Sequence, residues 1–128
     1  LSTKEEQRMH LLAQAARLDA TYSAPAFELG RFHWGKKNYR AAAEWFERVA
    51  SNDRRYREAM FFRGASRFYL GDYAAAEAAF ETVSRDLPLN EVFNNLGAAQ
   101  SRRNLPAAIE SFLRAHEGDR NEPVYLFN

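Results

Sequence analysis

Apolar residues recur every three or four positions along most of this chain, which is the period of an amphipathic helix. Ala42, Phe46 and Val49 form one stripe, Ala76, Phe80 and Val83 a second, and Ala108, Phe112 and Ala115 a third. Asn38, Asp72 and Asn104 precede these segments, with side chains suited to accept hydrogen bonds from the unpaired amides of a helix's first turn. Pro106 falls in the first turn of the third segment, where its missing amide hydrogen costs nothing. Upstream of each stripe lies another helical segment, roughly Ala24 to Lys36, Arg57 to Leu70 and Asn90 to Arg103. Each carries a glycine near its middle, at a cost of about 0.5 to 1 kcal/mol relative to alanine. Repetition of that cost predicts close approach of a neighbouring helix at Gly30, Gly64 and Gly97.

The two kinds of segment alternate with a fixed period. One constant offset links Gly30 to Gly64, Tyr39 to Tyr73, Ala42 to Ala76, Phe46 to Phe80 and Val49 to Val83. In the third copy the offset is shorter by one at Gly97 and by two at Ala108 and Phe112, so one position is lost before the glycine and one in the following turn. A self-similar helix-turn-helix unit recurring at such a spacing is the mark of a stacked array.

The pattern resembles the tetratricopeptide repeat, a helix-turn-helix unit of about 34 residues. Leu29-Gly30 and Leu96-Gly97 match the Leu-Gly of its first helix, Ala42 to Phe46, Ala76 to Phe80 and Ala108 to Phe112 match the Ala-x-x-x-Phe of its second, and Pro88 matches its closing proline. Arg63 stands where the family has leucine, and Arg54 and Arg120 where it has proline. The resemblance implies an all-α fold, an alpha-alpha superhelix in which antiparallel helix pairs stack as a right-handed solenoid. A single array would then fill residues 1–128, with repeats at 23–56, 57–89 and 90–122. Residues 1–22 would hold the second helix of a preceding repeat, with Leu12 and Ala15 in the places of Phe46 and Val49, and 123–128 the start of a further first helix. Opening at Leu1 rather than methionine, the chain reads as an internal slice of a longer protein.

Composition narrows the function. With 46% hydrophobic and 14% aromatic residues the chain has the means to offset its ordering entropy, so disorder is not expected. Eighteen Lys and Arg against 17 Asp and Glu leave a formal net charge of +1, giving no overall field to draw nucleic acid. No apolar run approaches the ~20 residues of a bilayer span, so membrane insertion is not expected. The absence of cysteine removes disulfides and thiolate metal ligands.

In the resembled family the first helices line a concave surface that binds proteins. Mapped onto this chain, that surface is expected to present Phe27, Arg31 and Trp34 from the first repeat, Glu58, Phe61, Phe68 and Tyr69 from the second, and Asn94 and Arg102 from the third, with Ala24, Ala65, Glu91, Ala98 and Ser101 between them. Aromatic anchors beside arginine are common hot-spot chemistry. Two readings of the rings stand: anchors of a groove for an apolar or aromatic peptide segment, or padding between adjacent first helices. Asn95 occupies one position of the carboxylate clamp found in some relatives, but Phe27, Arg31, Phe61 and Ala65 do not supply the rest, and no clamp is expected.

Arg63 and Arg67 replace residues that are usually apolar, so they should reach solvent or meet a carboxylate. Lys36, Lys37, Arg40, Arg102 and Arg103 gather near the turns and read as a solvated edge. His10, His33 and His116 are scattered without metal-ligand spacing, and His33 reads as a partly buried packing residue. No phosphate loop or nucleophile motif appears. The expectation is a noncatalytic protein-protein interaction scaffold without cofactor, binding a protein or peptide partner. The alternative is a spacer or self-assembly module, forming a homo-oligomer through apolar ends at Leu11 and Leu12 and at Val124, Tyr125, Leu126 and Phe127.

Overall fold

A computed structural model describes residues 3–19 and 21–118; the expectations for 123–128 lie outside them. Among the described residues the chain forms seven helices and no strand: α1 (Lys4–Leu18), α2 (Ala26–Gly35), α3 (Tyr39–Glu47), α4 (Tyr56–Tyr69), α5 (Tyr73–Asp86), α6 (Asn90–Gln100) and α7 (Leu105–Gly118). None is long and apolar enough to cross a membrane.

The polar residues ahead of the stripes start their helices. The amides of Ala41, Ala75 and Ala107 donate to the Oδ1 atoms of Asn38, Asp72 and Asn104 at 3.3, 3.2 and 3.4 Å. At α1 the Glu6 amide donates to Thr3 Oγ1 at 3.0 Å. The turns before α3 and α5 are built alike. Lys37 and Gly71, at equivalent places in successive repeats, both take left-handed conformations with φ of 59° and 81°. The amides of Asn38 and Asp72 then reach back to the carbonyls of His33 and Arg67, each at 2.9 Å, closing the preceding helix. Before α7 the missing residue removes the left-handed position, and the Asn104 amide bonds to the Gln100 carbonyl instead.

Within each hairpin the glycine lies against the phenylalanine of the second helix. An added Cβ would stand 2.7 Å from the Phe46 ring at Gly30, 2.8 Å from Phe80 at Gly64 and 2.6 Å from Phe112 at Gly97. Leu29, Phe46 and Phe80 are fully buried. Between hairpins, Phe62 stacks on Phe46 with centroids 5.5 Å apart and extends the core from one pair to the next.

Each helix packs on its neighbours in sequence, and α4 also touches both α2 and α6. Among the described residues no second helix (α1, α3, α5, α7) meets another. The first helices are therefore the contiguous row. At the start of the chain α1 meets α2 over a short stretch only. Its buried residues are Met9, Ala13 and Ala16, whereas Leu12 is half-buried and Ala15 exposed. That departs from the stripe read in the sequence by one position: Met9, Ala13 and Ala16 keep the spacing of Ala42, Phe46 and Val49, so the residue in the place of Phe46 is Ala13 rather than Leu12.

Candidate functional site: the first-helix row

The expected site residues fall into two groups along the first helices. Toward the start of α2, Phe27 is buried edge-on against Phe46 (5.8 Å between centroids), and the Arg55 guanidinium lies 4.9 Å from its ring. Arg55 is aimed there by Asp53, whose carboxylate accepts its side chain and backbone amide, at 3.1 Å from Nη2 and 2.8 Å from the amide nitrogen. Those hydrogen bonds hold the Asp53 carboxyl below its ordinary range. Exposed Arg31 has no ion-pair partner among the described residues. Together with Phe27, Phe32, Arg8, Glu28 and Arg55 it lines a groove of about 510 Å³. Arg8 closes one side of it by binding Glu28 at 2.7 Å. Glu58 is exposed at the start of α4, where its charge acts on Arg55.

Toward the other end of the helices the rings form a continuous chain. Half-buried Trp34 contacts Tyr39, Phe62 and Tyr69 at 5.3, 5.3 and 5.9 Å. Tyr69 stacks on Tyr39 at 4.7 Å with planes 19° apart, touches Phe68 at 6.0 Å and keeps 40% of its surface exposed. Phe68 is buried, but the exposed Arg102 guanidinium lies 5.9 Å from its ring and 5.5 Å from that of Tyr73. Burial and the neighbouring Tyr39 raise the Tyr69 phenol above its ordinary value, so it stays protonated and able to donate.

Phe61 and Asn94 join neither group at the surface. Phe61 is half-buried between Phe62 and Phe80, at 5.9 and 5.7 Å. Asn94 is buried with most of α6, which is enclosed by α4, α5 and α7. Tyr39, Arg55, Phe62 and Tyr73 complete the two groups and were not among the expected site residues. For Tyr39 and Tyr73 a signal was present: the tyrosine recurs from one repeat to the next at the first position of a second helix.

Arg63 and Arg67 both meet the Glu47 carboxylate of the preceding hairpin, Arg63 at 3.5 Å and Arg67 in closer contact through Nε and Nη2. A second cleft, of about 670 Å³, opens between α1 and α2 and is lined by His10, Arg17, His33 and Lys36 among others. His33 is half-buried there, and burial together with the charge of Arg17 lowers the pKa of its imidazole. No family model matches the chain, and no curated protein matches it either.

Proposed function

We propose that this chain is a tetratricopeptide-like array, its hairpins stacked as a right-handed superhelix, and that it works as a noncatalytic scaffold holding a segment of another protein along its first helices. The observation that carries the reading is the run of Trp34, Tyr69, Phe68 and Arg102, which links α2, α4 and the end of α6 through successive contacts of 5.9, 6.0 and 5.9 Å. Such a run offers flat apolar area with a cation at one end, at little conformational cost because the rings already hold one another. The contiguity of α2, α4 and α6, set against the separation of the second helices, supports an inner position for this row. Arg31 and the groove over Phe27 add a second point of attachment, with room for a side chain of the same extended segment.

Burial divides the residues by role. Phe27 and Phe68 form the floor, so the surface a partner would touch belongs to Tyr69, Trp34, Arg31 and Arg102. The test is selection of binders from a random peptide library on the wild-type chain, followed by binding to Tyr69→Ala and Arg102→Ala variants whose helicity is checked by circular dichroism. Enriched peptides should carry an aromatic or aliphatic anchor and lose at least about tenfold in affinity on each substitution, since hot-spot truncations cost upward of ~1 to 2 kcal/mol. Peptides that bind both variants as they bind wild type would place the interaction elsewhere.

A further inference from the structure

Four positions that meet between α3 and α4 recur between α5 and α6 with their chemistry altered. By the repeat offsets, Glu47, Met60, Arg63 and Arg67 correspond to Glu81, Phe93, Leu96 and Gln100. The carboxylate and the apolar residue are kept, and both arginines are lost.

In the earlier copy the arginines fill the space between the helices. Both bind Glu47, and Arg63 Nη1 also lies 3.9 Å from the Met60 sulfur. In the later copy a cleft of about 290 Å³ opens, lined by Glu81 of α5, by Phe93, Leu96 and Gln100 of α6, and by Glu110 and Arg114 of α7. Its walls are described helices on every side, and its opening comes from the shorter side chains on α6.

Neither replacement answers the carboxylate. Leu96 carries no charge, and Gln100 is engaged elsewhere, its amide donating to Glu77 at 3.4 Å and its carbonyl accepting from Ser111 Oγ at 2.6 Å. Glu81 is half-buried and makes no ion pair among the described residues. Arg85, one turn further along α5, is exposed and forms no ion pair with it. Across the cleft, Glu110 and Arg114 bind each other at 3.1 Å. The carboxylate that faces the cleft without a cation is therefore Glu81, and a guanidinium suits its surroundings. The edge of that group donates two parallel hydrogen bonds to a carboxylate. Its plane stacks on an aromatic face, which Phe93 offers in the place of Met60.

We infer that this cleft is a seat for an arginine side chain of a partner protein. The arginine enters between α5 and α7, binds Glu81 and lies on Phe93, as Arg63 binds Glu47 and lies against Met60 within the chain. The cleft shares no residue with the proposed binding row, and the inference stands without it.

The probe is a blocked pentapeptide with arginine at its centre and alanine elsewhere, titrated into isotope-labelled chain and followed through the backbone amide resonances. Saturable shifts should centre on Glu81, Phe93 and Leu96. The same peptide with citrulline, which keeps the shape and drops the charge, should bind about tenfold or more weakly, because charge-assisted hydrogen bonds carry the affinity. The arginine peptide should lose as much with the Glu81→Gln chain and nothing with Glu44→Gln, which removes an exposed carboxylate on α3. The citrulline comparison uses the wild-type chain and so holds whether or not Glu81→Gln disturbs the fold. Absence of saturable shifts, equal binding of the two peptides, or binding unaffected by a folded Glu81→Gln chain would overturn the inference. So would sedimentation of the chain alone as a dimer that Glu81→Gln dissociates, because the arginine would then come from a second copy.

Discussion

Gly64 and Phe80 meet so closely across the α4–α5 hairpin that a methyl group on the glycine would stand 2.8 Å from the ring and 3.1 Å from the Ala79 Cβ. The repeat preserves a steric fit here. Gly64→Ala gains up to ~1 kcal/mol in helix propensity, but overpacking a buried aromatic costs about 1 to 3 kcal/mol. Phe80 is fully buried and has no open side to move toward. The expected outcome is net destabilisation of about 1 to 2 kcal/mol in urea unfolding, and a more stable variant would show that the helices separate at little cost.

Lys37 holds the left-handed turn position that Gly71 holds one repeat later, with φ of 59°. A side chain in that region costs about 1 kcal/mol that glycine avoids. Lys37 is exposed, so little packing is lost with it. Lys37→Gly should raise the midpoint of thermal unfolding, whereas Gly71→Lys should lower it. Equal midpoints for wild type and both variants would deny any backbone strain at this turn.

Ser66 lies fully buried in α4, and its Oγ has no hydrogen-bond partner among the described residues. A buried hydroxyl left unpaired costs on the order of 1 to 3 kcal/mol of desolvation. Ser66→Ala removes the hydroxyl and improves helix propensity, so denaturant titration should find the variant at least as stable as wild type. A loss of more than about 1 kcal/mol would mean that the hydroxyl is paired in solution.

His33 gives the chain a pH dependence of known sign. Burial, aided by Arg17, lowers its pKa from the ordinary 6.5 in the folded state. The unfolded chain then binds the proton more tightly, so the stabilising contribution is present above pH 6.5 and is lost progressively as pH falls below it. The titratable and charged groups lining the same cleft are Arg17 and His10 from α1 and Lys36 from α2, with Glu6 of α1 bound to Lys36 at 3.6 Å. His33→Gln should flatten the decline of stability between about pH 6.5 and 5. An unchanged slope would assign the acid sensitivity to other groups.

The periodic features were legible because each is local. Side chains such as Asn38 act within one turn, and a glycine and its phenylalanine recur at nearly constant spacing, so helices, caps and close approach follow from sequence neighbours. The expected carboxylate for Arg63 and Arg67 also follows from the cost of burying charge, although its identity as Glu47 needed the packing of α3 on α4. What escaped depends on contacts from outside the element. Phe27 and Phe68 were expected at an open surface but are buried on their first helices, where Arg55 and Arg102 reach across to their rings from other segments. Asn94, expected at a binding surface as a polar residue of its first helix, is buried by the enclosure of α6. At α1 the analogy of Leu12 and Ala15 with Phe46 and Val49 carried the offset of the complete repeats back unchanged, whereas the buried Met9, Ala13 and Ala16 stand one position closer to them.

The ties that hold α1 differ in kind at its two ends. Arg48 grips its rear, donating from Nη2 to the carbonyls of Ala16 and Tyr22 at 3.4 and 2.9 Å. The front is tethered by Glu6 to Lys36 and Arg8 to Glu28, pairs open enough to water for dissolved ions to weaken. Raising the ionic strength should therefore weaken the ties at the front of α1 before those that Arg48 makes at its rear.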